Sequence, residues 1–241
     1  MKIIKRMVCL CIICSICMTG CGIAQQLDHS SSSGDIAALN ATVDASESAD
    51  VTLNPEDIKT FVFEGDEYTF PVSYDTFIEK GWKISDKSYQ IFEDGNKSPT
   101  FTMESDDYPG LVMDFDMNRG YWQDGGLMET MDEDALPSSV DEMVSELESN
   151  GVWGIGIYPD SEGEFEEISA YPELSFKGVS FGNSSADIVD AFGTPDSDII
   201  EIVGDNEYAY FSSATTMKSS SIFFSVENDS VYSIVVTYYE D

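Results

Sequence analysis

Beyond Leu53 apolar and polar residues trade places about every second position, the period at which a half-buried strand shows one face to a core and the other to water. Leu111-Val112-Met113-Asp114-Phe115-Asp116-Met117 predicts such a strand, with Leu111, Met113, Phe115 and Met117 turned inward. Thr60–Glu64 and Glu67–Phe70 flank Gly65-Asp66 and predict a hairpin, the acid–glycine signal of a type I′ turn standing here in reversed order. Ser221–Glu227 and Val231–Tyr239 predict two closing strands joined at Asn228-Asp229-Ser230.

Helical spacing is rarer. Val140, Met143, Val144 and Leu147 fall on one helical stripe, with Ser138-Ser139 as a cap and Asn150-Gly151 as a stop. That stripe reads as core-facing. Two shorter helices are expected over Ser73–Gly81 and Ser185–Gly193, each with a leading serine, an early acid favoured by the positive helix end, and a terminal glycine.

These two segments share the frame Ser-x-Asp-x5-Gly, and their surroundings match. Gly65 lies sixteen residues before Gly81, and Gly178 fifteen before Gly193. Asn150-Gly151-Val152-Trp153-Gly154-Ile155-Gly156-Ile157 parallels Asp229-Ser230-Val231-Tyr232-Ser233-Ile234-Val235-Val236, pairing Trp153 with Tyr232, Ile155 with Ile234 and Ile157 with Val236. The pattern predicts a degenerate tandem repeat whose first copy carries an insertion around residues 119–149.

The first fifty residues have another character. Lys2, Lys5 and Arg6 precede an apolar run from Met7 to Met18, too short for a membrane span of about 20 residues and suited to the core of a secretion signal. All five cysteines lie at positions 9, 11, 14, 17 and 21, so the remainder has no thiol for a disulfide or a metal. Gln25 to Asp50 is rich in Ser, Asp and Ala and has no aromatic residue, which predicts a disordered tether. The 14 Phe, 12 Tyr and 3 Trp all follow Leu53.

Net charge narrows the function. Eleven Lys+Arg stand against 46 Asp+Glu, a formal charge of −35. Loss of residues 1–20 removes three cations and no acid, so −35 becomes −38. Such a surface repels nucleic acid and anionic lipid headgroups, and no basic stripe is present to track a phosphate backbone. The folded part is expected to stand off the bilayer.

Met18-Thr19-Gly20-Cys21-Gly22 resembles a bacterial lipobox, with small residues before the cysteine. The resemblance implies cleavage before Cys21, a diacylglyceryl thioether on its sulfur and acylation of the new amino terminus. Several acyl chains supply the two or more signals that stable anchoring requires. Phe176-Lys177-Gly178-Val179-Ser180-Phe181-Gly182-Asn183-Ser184-Ser185, followed by the helix and Gly193-Thr194-Pro195, resembles the signature of BamE/SmpA-like envelope lipoproteins. Similar units occur in tandem in secreted beta-lactamase inhibitor proteins. The resemblance covers residues 174–241 well and the first half loosely. It implies helices layered on an antiparallel sheet and binding rather than catalysis.

Candidate binding residues follow from the strand pattern. With Ile222, Phe224, Val226, Ile234 and Val236 inward, Phe223, Ser225, Glu227, Ser233, Val235, Thr237 and Tyr239 line the other face. Phe223 and Tyr239 are then aromatics among polar neighbours, the composition of protein interfaces, unless the first repeat or a loop covers them. The loop Asn118–Gly126 offers Tyr121 and Trp122, placed either to stack on a sugar or grip a peptide or to lid the core.

Other chemistry is poorly supplied. Asp114-Phe115-Asp116-Met117-Asn118 begins like a calcium loop, but Arg119 and Gly125 stand where glycine and glutamate are required, so no metal site is expected. His29, the one histidine, lies in the serine tract; no nucleophile elbow or phosphate loop occurs, and no cofactor is called for. The expectation is an α+β protein of two related units, each a helix layer on an antiparallel sheet. Its parts are a signal peptide over 1–20, a tether over 21–52, a first unit with insertion over 53–172 and a second over 173–241. It is a lipid-anchored, extracytoplasmic, non-catalytic module for an envelope protein, with carbohydrate binding through Tyr121 and Trp122 as the alternative.

Overall fold

In chain order the elements are α1 (Glu56–Lys59), β1 (Thr60–Phe63), β2 (Asp66–Thr69), α2 (Tyr74–Glu79), β3 (Trp82–Ile84), α3 (Asp86–Glu93), β4 (Thr100–Ser105) and β5 (Leu111–Asp116). There follow β6 (Trp122–Gln123), β7 (Thr130–Met131), α4 (Val140–Asn150), β8 (Gly154–Pro159), β9 (Leu174–Phe176) and β10 (Val179–Ser180). The last are α5 (Ser185–Phe192), β11 (Glu207–Phe211), β12 (Ser221–Glu227) and β13 (Ser230–Thr237). They belong to a computed structural model that describes residues 53–93, 97, 100–116, 122–123, 130–131, 136–160, 170–195, 206–212 and 219–240. The signal segment, Cys21, the tether and Met117 lie outside the described residues.

The protein is α+β. A seven-stranded antiparallel sheet runs β11-β12-β13-β8-β5-β4-β3, a four-stranded one runs β10-β9-β1-β2, and β6-β7 form a separate two-stranded ladder. Val51–Asp241 make up a single compact unit, and the two large sheets contribute to one hydrophobic cluster.

Turn chemistry sets both hairpins of the smaller sheet. Glu64 and Gly65 have φ of 49° and 83°, and Lys177 and Gly178 have φ of 48° and 82°. Two successive left-handed residues define a type I′ turn, whose twist matches that of the strands. The turn at the first hairpin is therefore Glu64-Gly65, one residue earlier than the sequence reading, and the acid–glycine order is the ordinary one. Asn228-Asp229 repeats the device between β12 and β13, with φ of 54° and 60°.

The three expected helices form, α4 with the cap and stop expected of it, and α1 and α3 are two further helices that the spacing does not predict. Ser139 Oγ accepts from Glu142 N at 3.2 Å to open α4, and Gly151, at φ 74°, closes it. Any Cβ at Gly151 would lie 3.0 Å from Pro71 Cβ and 3.1 Å from Val72 O, so glycine there permits close approach as well as the turn. The α5 cap is Ser184 rather than Ser185: Ser184 accepts from Asp187 N, and the Asp187 carboxylate accepts from Ser184 N at 2.8 Å. Ser73 occupies the α2 cap position but makes no capping hydrogen bond.

One face of the seven-stranded sheet carries the core. Tyr208, Phe224, Ile234, Ile157, Met113, Met103 and Ile84 follow one another across all seven strands. Tyr210, Ile222, Val236, Ile155 and Phe115 form the next row. Helices supply aromatic rings to this face: Phe77 of α2 lies 4.7 Å from Phe115 and 5.4 Å from Phe63, and Phe192 of α5 lies 5.4 Å from both Phe224 and Tyr210. A further run of rings, Trp153, Tyr238, Phe70, Phe61 and Phe176, joins the sheets at separations of 4.8–6.2 Å, the range in which aromatic pairs attract.

The registers bring the two halves of the chain together. Ile155 pairs with Val236 and Ile157 with Ile234, so the correspondence of Ile155 to Ile234 and Ile157 to Val236 places a local two-fold between Gly156 and Val235. Val62 pairs with Ser175, and the two occupy equal distances from their turns. Val152 exchanges both backbone hydrogen bonds with Val72, and Val231 donates to Asn183 O and accepts from Gly182 N. Strands β5 and β8 are neighbours like β12 and β13, but the segment 117–153 joins them where Asn228-Asp229 suffices in the other half.

Truncating a core ring tests this packing. Phe115→Ala and Phe224→Ala, each at a fully buried site, are expected to lower unfolding free energy by a similar amount, about 3–5 kcal/mol, in denaturant titrations.

Candidate functional site

The opposite face of the seven-stranded sheet holds Phe223, with Tyr239 just beyond the end of β13. Its central row runs Ala209, Phe223, Val235, Gly156, Asp114 and Thr102. Phe223 and Val235 are half-buried, and Phe211 meets Phe223 edge-on, ring centres 5.3 Å apart. This apolar centre is bordered by Thr237 and by exposed Glu227.

Tyr239 follows the end of β13 and is half-buried. Ser220 fixes its backbone by accepting from Tyr239 N at 2.9 Å and donating to Tyr239 O at 3.0 Å. Its neighbour Tyr238 points into the core, stacked between Phe70 and Trp153. Phe223 and Tyr239 share the β12–β13 hairpin, with Phe223 opposite Val235, two ladder steps from the Ser221–Thr237 pair's outer end. Trp122 belongs to β6, opposite Met131 of β7; its side chain, like Tyr121, lies outside the described residues.

Two serines expected to face water are covered. Ser225 and Ser233 are 4 % and 5 % exposed. A serine side chain is short enough for neighbours to close over it, and Ser225 Oγ satisfies itself by donating to Glu207 Oε2 at 2.7 Å. The face is accordingly narrower and more apolar than strand alternation implied.

Asp114 lies on the face opposite the core, where strand alternation puts it, but it is half-buried and one of its carboxylate oxygens is closed off from water. Tyr158 reaches diagonally across from β8 and its hydroxyl donates to Asp114 Oδ2, while Oδ1 is buried without a hydrogen-bond partner. Burial pushes the carboxyl above the ordinary carboxylate range, and the Asp160 charge adds to the rise; hydrogen bonding from Tyr158 and Thr102 and the Lys87 charge oppose it. Lys87 in turn donates to Asp160 Oδ1 at 2.6 Å. A Cβ at Gly156 would stand 3.3 Å from Val235 Cγ2, a tight approach, and 3.6 Å from Tyr158 Cε1, an ordinary contact. Alternating Gly154 and Gly156 was the one signal in the sequence that this stretch of sheet is thin.

A groove of about 300 Å³ lies at the β9–β10 turn and α5, lined by Lys177, Asn183, Asp187 and Asp190. Most of its polar groups are already engaged: Lys177 with Asp57 at 3.0 Å, Asn183 with Ser180 N at 2.7 Å and Asp187 with Ser184. Among the described residues no three His, Cys, Asp or Glu side chains converge as metal ligands, and no helix is long and apolar enough to cross a membrane.

Ser220→Ala removes both bonds to Tyr239 and leaves buried backbone groups unsatisfied. It is expected to cost about 1–3 kcal/mol and to raise amide exchange at Tyr239 while β11 is unaffected.

Comparison with known proteins found no match to this chain among protein-family models, curated proteins or solved structures.

Proposed function

We propose that this protein is a lipid-anchored extracytoplasmic lipoprotein whose acidic α+β domain is a non-catalytic binding or assembly module for an envelope protein. The sequence order of cations, short apolar run and Thr19-Gly20-Cys21-Gly22 supports the address. The domain is read as a fused pair of related units, a reading supported by the matching turns and the two-fold registers of β1–β9 and β8–β13.

The observation that carries the binding reading is the half-buried apolar centre formed by Phe211, Phe223 and Val235 on the sheet face opposite the core. An apolar centre within a polar rim is the anatomy of a protein interface. Charge specifies the kind of partner. Five of the lysines are held in ion pairs within the domain, Lys59 with Glu56, Lys80 with Asp66, Lys83 with Asp106, Lys87 with Asp160 and Lys177 with Asp57. The acidic excess is thus presented outward, and a partner with a basic surface is steered toward it.

Two experiments test the reading. Cys21→Ser is expected to abolish incorporation of labelled palmitate and to release the protein from membranes; persistence of both would refute the address. Cross-linking of the intact protein in its own membrane is expected to capture a basic envelope protein, and Phe223→Ala to remove that adduct while lowering stability by only about 1–2 kcal/mol. An adduct of equal yield with Phe223→Ala would place the interface elsewhere.

A further inference from the structure

We propose that Asp114, Lys87 and Asp160 form a proton-controlled latch: neutral Asp114 leaves Lys87 to tie α3 to the end of β8, and ionised Asp114 draws Lys87 away from Asp160. The inference concerns the domain's own conformational balance and does not depend on what the uncovered face binds.

Three observations carry it. Asp114 stands in the middle of the sheet, between Thr102 of β4 and Gly156 of β8, where solvent cannot hydrate its Oδ1 and no protein donor reaches that atom. An ionised carboxylate offers about four acceptor sites, and this one is supplied by the Tyr158 hydroxyl at Oδ2 and by the Thr102 side chain. A buried charge so poorly supplied either keeps its proton or recruits a cation. The cation at hand is Lys87, whose ammonium already bonds Asp160 at 2.6 Å and whose charge acts on Asp114.

The groups facing Asp114 can be enumerated by element. From β8 and its end come Tyr158, a donor, and Asp160, a like charge; from α3 comes Lys87; from β4 comes the Thr102 hydroxyl. Farther along β4, Glu104 pairs with Lys83 at 3.8 Å, both half-exposed and screened by water. Asp160 and Asp114 are thus both within the influence of Lys87, and the proton on Asp114 decides whether these two compete. What the latch holds is local. Ser88 of α3 bonds Thr102 N and O at 2.7 and 2.9 Å, and Lys87–Asp160 is the helix's tie in the other direction, to the strand beyond β5.

The pH dependence has a definite sign. The folded carboxyl holds its proton to a higher pH than the unfolded one, so the folded state binds the extra proton between the two values. Stability contributed by neutral Asp114 is present below that window and is lost as pH rises through the folded pKa. Asp114→Asn retains an acceptor for Tyr158 and cannot ionise. Its stability relative to wild type should therefore increase across the window and level off above it.

The test uses the full chain, titrated from acid to mildly alkaline pH, with carboxyl carbon shifts followed by NMR and α3 amide exchange measured alongside. Asp114 is expected to titrate above the ordinary carboxylate range of about 4. Above that point α3 amides should exchange about ten-fold faster. Lys87→Met is expected to remove the exchange step and to move the Asp114 titration higher still. Should Asp114→Asn fold poorly, the carboxyl is assigned through bonds from its own amide and Lys87→Met decides alone. An Asp114 that titrates in or below the ordinary range, or α3 exchange that stays flat through its titration, overturns the latch.

Discussion

The antiparallel pairing of β8 with β13 is the constraint on which the rest depends. Through it strands from residues 82–159 and strands from residues 207–237 become one seven-stranded sheet, and the rows of core side chains become continuous. Neither half has a second route to that continuity except the β1–β9 pairing in the smaller sheet. In the β8–β13 pairing Ile155 and Ile157 face Val236 and Ile234, so side chains of similar size fall in matching rows. Joining the halves in this way buries two strand edges that would otherwise be open to association with other chains.

Charge and packing divide the molecule between them. Aromatic rings concentrated after residue 53 supply the attraction that keeps a chain with 46 acids folded. Phe77 against Phe115 and Phe192 against Phe224 do the same work at corresponding strand positions, one ring from a helix over one ring from the sheet. Among the described residues, five lysines are spent on ion pairs that are largely open to screening by salt and water. The uncovered sheet face is the place where the two regimes meet, with Phe223 and Val235 beside Asp114.

Much of this architecture was legible where local chemistry and long-range packing agree. The serines, acid and glycine of residues 184–193 signal where a helix starts and stops, and the stripe from Val140 to Leu147 has one apolar side to bury. The β12–β13 hairpin follows from alternation plus two turn-forming residues. Elsewhere tertiary structure decides. Helix α3 is polar apart from Ile91, Phe92 and Tyr89, and its position depends on Ser88 meeting the backbone of Thr102, a contact fourteen residues away. Strands β9 and β10 are too short to show a period, and β11 becomes a strand because β12 offers it an edge. At the candidate site Phe223 was visible as an aromatic out of phase with the core. The enclosure of Asp114 Oδ1 was not, because it depends on Tyr158 of the neighbouring strand reaching diagonally to donate to Oδ2.

Native-state amide exchange compared between β5 and β12 tests the fused-sheet account most directly. If β8–β13 pairing makes the halves one cooperative structure, the slowest amides of Val112–Phe115 and of Ile222–Val226 open with the same free energy and the same denaturant dependence. Two distinct opening energies, with one half protected after the other has exchanged, would contradict it.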